Sequence, residues 1–422
     1  MSGEIPRVVV VGGGFGGLEA TKALRHAPAD VTLCDRNNYH LFQPLLYQVA
    51  TGGLAPGEIA APIRRVVRGQ ANTSVLLENV DNIDLERREV VHGDGTIPYD
   101  YLIVATGARH AYFGHEDWEA AAPGLKTIED ALDIRRRIYL AYEEAERCPD
   151  PDRLPGLLDF VVIGGGPTGV ELAGAIAEIA RRTLRRDFRR IDPTASRVIL
   201  IEAGSSVLPS FPPDLGRRAQ ATLEAMGVEV RLGTAVSDVS PEGVRLGDEW
   251  IGSRTIIWAA GVEASPLGRS LGQPADRAGR IEVLPDLSLP GHPEVFIVGD
   301  LALARGANGA VMPGLAPVAM QEGRLAARNV IRRIAGQPTQ PFVYHDRGAL
   351  ATIGRRAAVA EIRGLRLTGV LAWLTWLFVH ILYLIGFDNR IAVLWHWAYA
   401  YVTFERADRL ITEPRTARAA PR

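Results

Sequence analysis

One module occurs twice in this chain, and it constrains the fold more than any other feature. The run Arg7–Val11 closes on Gly12-Gly13-Gly14-Phe15-Gly16-Gly17, and a helical stretch from Leu18 to Leu24 follows. A second strand, Val31–Cys34, ends at Asp35. The same grammar returns at Phe160–Ile163 with the turn Gly164-Gly165-Gly166-Pro167-Thr168-Gly169 and a helix predicted over Val170–Ile179. Its second strand, Val198–Ile201, ends at Glu202. Short apolar runs that give way to helical periodicity across a glycine turn mark βαβ units. The chain is therefore expected to be α/β, with two Rossmann-like modules.

Each part of the module has a physical task. Gly12 allows the tight turn, Gly14 lets backbone amides approach a pyrophosphate, and Gly17 lets helix pack on strand. The helix N-terminus adds the positive end of its dipole. Asp35, 18 residues beyond Gly17, is placed to accept the ribose hydroxyls of an adenosine. In the second copy Gly164, Gly166 and Gly169 repeat these roles, and Glu202 is the acid. A carboxylate there binds a 2′-hydroxyl and repels a 2′-phosphate, so NADH is expected over NADPH; Arg217 and Arg218 are the residues that would rescue a phosphate. Two such sites imply one held flavin dinucleotide and one exchanging nicotinamide dinucleotide.

Three further strands close on small residues: Tyr101–Gly107, through Ala105 and Thr106; Thr255–Gly261, through Ala260; and Val295–Asp300. Asp300 is placed to meet the flavin's ribityl hydroxyls. Glu171, just after Gly169, either caps the first helical turn or faces the nicotinamide. The arginines between Arg181 and Arg190 recur as one solvated helix face. The prolines of 147–155 suggest a linker.

Composition removes several rival classes. Lys and Arg total 47 against 49 acidic residues, so a nucleic-acid binder is not expected. Cys34 and Cys148 are the only cysteines and lie far apart, which leaves no disulfide scaffold, thiol couple or cysteine zinc site. The histidines show no metal-binding spacing, so no metal is expected. Without a basic stretch leading into a long apolar run near Met1, no secretory signal is expected.

At this point the chain resembles the type II NADH dehydrogenases, the single-subunit, non-proton-pumping NADH:quinone oxidoreductases. The resemblance rests on Val9–Glu19, Asn38–Ala50, Gly164–Gly174, Trp258–Val262, Val298–Asp300, Ala316–Gly323 and the aromatic C-terminus. It implies a glutathione-reductase-like flavoprotein architecture: an FAD domain over 1–120 and 281–345, an NADH domain over 121–280, and a membrane-associated region over 346–422. Phe15, Gly16, Arg36 and Gln43 join the FAD residues by the same resemblance, and Gln43–Gln48 is expected beside the isoalloxazine. The family's A-Q-x-A-x-Q signature aligns with Ala316, Ala319 and Gln321, but Pro317 stands where its first glutamine would be. Gln48 and His380 are weaker quinone candidates. Gln321 is expected to open a helix running to about Ile334.

Val370–Ile385 is a run of 16 residues interrupted by Thr375 and His380, shorter than the roughly 20 a spanning helix needs. Trp373, Trp376, Trp395, Trp397, Tyr383, Tyr399, Tyr401 and Phe404 crowd this region, as at a membrane interface. Two amphipathic helices, about 368–386 and 391–406, are expected to lie on the cytoplasmic leaflet, with Arg355, Arg356, Arg363, Arg366, Arg406 and Arg409 meeting headgroups. The expectation is a peripheral, monotopic enzyme and a homodimer. The alternatives are a dimerisation face or core helices here, and a soluble ferredoxin reductase or a flavin-based NADH sensor for the whole chain.

Overall fold

The computed structural model describes residues 5–412 except 94, 307–308, 404 and 407. Phe404 and the tail from residue 413 thus lie outside the described residues. Along the chain the elements that matter here are β1 (Arg7–Val11), α1 (Phe15–Ala23), β2 (Asp30–Asp35), α2 (Leu46–Ala50), α3 (Pro56–Ile59), β3 (Thr73–Leu77) and β4 (Tyr101–Val104). Next come α4 (Ile128–Arg147), β5 (Asp159–Ile163), α5 (Pro167–Glu178), β6 (Arg197–Glu202), β7 (Val228–Leu232) and β8 (Thr255–Trp258). The chain continues through β9 (Ser288–Leu289), β10 (His292–Ile297), α6 (Ala316–Ile334), β11 (Ala349–Gly354), β12 (Ala357–Ile362) and β13 (Leu365–Thr368). Two helices, α7 (Gly369–Tyr383) and α8 (Phe387–Thr403), follow.

These elements form two compact units. The first holds residues 1–41, 60–109 and 262–347; the second holds 42–59, 110–261 and 348–422. The proline-bearing stretch 147–155 lies inside the second unit.

The first unit carries a six-stranded sheet in the order β9-β10-β4-β1-β2-β3, parallel except for β9. Val8–Val11 are almost fully buried at its centre. Such an apolar β-branched run suits a strand covered on both faces. Helices α1 and α6 meet where a Cβ on Gly323 would lie 2.0 Å from the Gly16 carbonyl oxygen, so both backbones approach as only glycine permits.

The second unit repeats the module as a four-stranded parallel sheet, β7-β6-β5-β8. The two glycine turns match in detail. Gly12 has φ +101° and Gly164 +113°, and a Cβ on Gly17 or Gly169 would fall 1.7 or 1.8 Å from the carbonyl oxygen of Gly12 or Gly164. This unit also holds an antiparallel sheet, β11-β12-β13. Helix α7 packs Ala372 against Ala358 and Ala360 of that sheet.

Several boundaries differ from those expected. Helices α1 and α5 begin inside the glycine turns, at Phe15 and Pro167; in α5 proline's fixed φ suits the first helical residue. Helix α6 begins at Ala316, so Gln321 lies in its second turn and does not open it. The arginines 181–190 form no helix face. After α5 one π turn, Ile179–Thr183, ends the helix. The Glu146 carboxylate then accepts the backbone N–H groups of Arg189, Arg190 and Ile191, which replaces helical hydrogen bonding there. The C-terminal helices span Gly369–Tyr383 and Phe387–Thr403, separated at Gly386 with φ +92°. Among the described residues, no helix is long and apolar enough to cross a membrane.

Candidate functional site

In the first unit the Asp35 carboxylate ends β2 and accepts the N–H of Gly13 at 2.5 Å and of Asn37 at 2.6 Å. Burial raises its pKa, while those two amides and Arg36 pull it down. A Cβ on Gly12 would lie 2.4 Å from the Ala105 carbonyl oxygen, so the turn rests on the end of β4. At that end the Thr106 hydroxyl is buried with no hydrogen-bond partner among the described residues. Gly107 follows with φ +67° and its carbonyl accepts from Ser265. An orphaned hydroxyl beside a turn with nothing within 4 Å of a Cβ on Gly14 fits a polar cofactor laid over these amides.

The turn after β10 brings Asp300 in, and Gly314 packs on it: a Cβ there would sit 3.1 Å from Oδ1. The neighbouring Gly299 N–H donates to Glu322 at 2.6 Å. Glu322 is 1% exposed. Burial pushes its pKa up to about 8; the Asp300 charge adds to the rise and the Gly299 amide opposes it. Ala316 and Ala319 lie in the first two turns of α6. The Gln321 side chain exchanges two hydrogen bonds of 3.0 Å with the backbone of His345.

In the second unit Glu202 ends β6 as Asp35 ends β2, accepting from Gly165 at 2.6 Å and Gly204 at 2.7 Å. Gly164 rests on the end of β8, where a Cβ would lie 2.4 Å from the Ala259 carbonyl. Pro167 and Thr168 form the first turn of α5, and Ala260 and Gly261 follow Ala259. Gln43 donates to the Lys126 carbonyl at 3.1 Å.

The same unit contains a cavity of about 150 Å³ lined by Tyr47, Gln48, Glu171, Thr352, Trp376 and Trp397, among others. Three side chains form a relay: Trp397 donates its indole N–H to Gln48 Oε1 at 2.7 Å, and Gln48 Nε2 donates to the Tyr47 hydroxyl at 2.9 Å. Glu171 is the fifth residue of α5, past the first turn, so it does not cap the helix. It accepts the Thr352 N–H at 3.4 Å. Burial raises its pKa well above the usual carboxylate range, opposed only by that amide. Burial and the Glu171 charge likewise raise the Tyr47 phenol. Burial of this kind favours the protonated form of a carboxyl.

Residues 6–323 match the pyridine nucleotide-disulphide oxidoreductase family. Two type II NADH:quinone oxidoreductases of Mycobacterium tuberculosis are 47% and 46% identical to the chain. Both alignments cover 96% of it, with 90% and 89% of the relatives. The chain belongs to the type II NADH:quinone oxidoreductase family. The fold of this family member is also that of NDH2 from Plasmodium falciparum, solved in complex with NADH, at a TM-score of 0.87 and 20% identity over 97% of this chain and 100% of that one. Sulfide:quinone oxidoreductase from Aquifex aeolicus has a TM-score of 0.72 at 20% identity, covering 97% of this chain and 96% of that one.

The one buried thiol of this type II family member is inert: Cys34 lies within β2, and burial pushes its pKa up to about 12. His380 stacks on Trp376 with ring centroids 4.2 Å apart, meets Phe42 edge-on, and bonds the Trp376 carbonyl through Nδ1 at 2.7 Å. Burial lowers its pKa to about 4, so it is uncharged at neutral pH.

Most of the arginines expected at headgroups are engaged within the chain. Arg355 and Arg356 lie 4.5 and 4.8 Å from the Tyr401 ring centre, and Arg366 pairs with Asp214. Arg406 donates to Thr51, and Arg409 pairs with Asp187. The sequence reading missed Glu322 and the strand β11 that brings Thr352 to Glu171, and it expected Trp397 at a membrane interface, whereas its indole N–H bonds Gln48. Tyr47 stood inside the quoted segment, but nothing in its local pattern singled it out.

Proposed function

We propose that this chain takes a hydride from NADH onto FAD and passes two electrons to a membrane quinone, without moving protons across the membrane. The balance is NADH, a proton and quinone giving NAD⁺ and quinol. FAD, when bound, supplies the redox chemistry. The chain's residues bind, orient and exclude water. Gly12, whose own N–H is held by the Cys34 carbonyl, and Gly17 shape the turn; the amides of Gly14, Phe15 and Gly16 would meet the FAD pyrophosphate, and Asp35 would take the adenosine ribose. Arg36, Gln43, Ala105, Thr106, Gly107 and Asp300 complete that set. Gly164 and Gly169 shape the second turn and Pro167 opens its helix without an N–H to give; the Gly166 and Thr168 amides would meet the NADH pyrophosphate, with Glu202 on its ribose and Ala260 and Gly261 beside it.

The observation that carries the reading is the cavity, where aromatic walls accompany the Trp397–Gln48–Tyr47 relay and a carboxyl pushed toward its protonated form. Glu171 holds the proton that quinone reduction consumes. Gln48 orients the quinone; Ala316, Ala319 and Gln321 carry the family's quinone signature, with Pro317 in place of its first glutamine. His380 supports Trp376.

The apolar side chains that α7 and α8 leave exposed, such as Leu371, Phe378 and Trp395, suit burial at a lipid surface. Peripheral attachment to the cytoplasmic leaflet, and pairing of two copies, belong to this reading. The test is anaerobic. NADH should bleach the flavin spectrum, and a short-tail quinone should restore it at the rate of steady-state turnover. Reduced flavin that persists after quinone is added overturns the proposal.

A further inference from the structure

Phe113 has φ +56°, a conformation that bulky side chains rarely adopt. It is also 70% exposed. Its neighbours need no help in filling the core: Tyr112, Trp118 and Trp258 are each 5% exposed or less. Strain that brings no burial gathers where a ligand is handled.

The ring's location is set by several contacts. A Cβ on Gly261 would lie 2.6 Å from Phe113 Cζ, so the ring lies directly against that glycine. The Ala111 N–H donates to the Gly261 carbonyl at 3.2 Å, and Trp258 donates its indole N–H to the Ala111 carbonyl at 2.9 Å. The Trp258 ring sits 6.2 Å from Phe113. Gly261 lies two residues beyond Ala259, on which the turn glycine Gly164 rests. Phe113 therefore stands at the carboxyl end of β8, in the crevice where open α/β sheets bind their ligands.

The strand order decides which half of a dinucleotide reaches it. In β7-β6-β5-β8 the turn after β5 takes the pyrophosphate, and Glu202 of β6 takes the adenosine ribose on one side. The other half must extend over β8. We propose that Phe113 is a substrate-binding residue whose ring stacks on the nicotinamide half of NADH. This rests on the reading that the second module holds NADH.

The test uses the FAD-loaded protein and calorimetric binding of NAD⁺ and of ADP-ribose, which lacks the nicotinamide. Phe113→Ala and Phe113→Gly should weaken NAD⁺ binding about tenfold, the scale of one aromatic stack. They should leave ADP-ribose binding within about twofold of wild type. Phe113→Tyr should retain both affinities. KM for NADH should rise with ferricyanide as acceptor while kcat holds. Phe113→Gly should melt no lower than wild type, because glycine accepts the positive φ without strain. Wild-type NAD⁺ affinity in the Ala and Gly variants overturns the proposal, as does an equal loss of both ligands. Glu202→Gln separates the underlying reading, which fails if that variant binds ADP-ribose as tightly as wild type.

Discussion

Trp397 donates its indole N–H to the side-chain oxygen of Gln48 at 2.7 Å, across 349 positions of sequence. Nearby, His396 pairs with Glu58 at 2.5 Å and Arg406 donates to Thr51 at 2.7 Å. One side of α8 is thus fastened to residues 48–58, while Trp395 on the same helix is 70% exposed. Trp397→Phe keeps the ring and removes the donor. It should raise KM for quinone severalfold and leave NADH–ferricyanide turnover unchanged, because a lost hydrogen bond is worth about 1 kcal/mol. Steady-state kinetics with both acceptors check this, and an unmoved quinone KM would sink the orienting role of Gln48.

Glu171→Gln mimics the protonated carboxyl. Stability should change little, and quinone-dependent kcat should fall about a hundredfold, the lower range for a lost general acid. Wild-type quinone turnover should decline as pH rises through the raised pKa, since the group then gives up its proton; the glutamine variant should show no such decline. Stopped-flow reduction of the flavin by NADH should be unaffected, and slowing there would put Glu171 against the nicotinamide instead.

Nucleotide choice follows from Glu202. The wild type should strongly prefer NADH over NADPH, and Glu202→Gln should narrow the gap by removing charge repulsion with a 2′-phosphate. Ratios of kcat/KM for the two nucleotides report this directly. Equal use of both by the wild type refutes the assignment.

Glu322 makes stability depend on pH. Its pKa in the folded chain is raised to about 8, so the fold favours the protonated form. The stabilisation is complete below the unfolded value near 4.5 and is lost as pH climbs through about 8. Glu322→Gln still accepts from Gly299 and carries no charge. Melting temperatures should therefore show the variant gaining on wild type between pH 5 and 8, by a few kcal/mol at most. Glu322→Ala, which abandons the Gly299 N–H, should be destabilised throughout.

The exposed apolar residues of the C-terminal helices are best tested by substitution. Deleting residues 368–422 would also remove Trp376 and Trp397 from the cavity wall. Leu371→Glu, Phe378→Glu and Trp395→Glu together should release the protein from lipid vesicles and abolish long-tail quinone reduction, with ferricyanide turnover and melting temperature nearly unchanged. A triple variant that still sediments with vesicles rules out this face as the anchor.

What the sequence determined by itself is local. Glycine spacing, strand composition and the acids Asp35 and Glu202 each act within one βαβ unit, because backbone sterics and β-branched packing operate over a few residues. That is why the α/β class and the two-dinucleotide chemistry were legible from the sequence. The helix starts at Phe15, Pro167 and Ala316 lay a few residues from their expected places, since glycine and proline obscure the first helical turn. The irregular path of 184–192 depends on one distant carboxylate, Glu146, which no periodicity announces. Only the tertiary structure decided what surrounds Glu171: Thr352 comes from a strand 181 positions away, and Tyr47 and Trp397 come from opposite ends of the chain. A carboxyl's proton affinity depends on the water excluded around it, and that exclusion is the work of side chains the sequence keeps far apart.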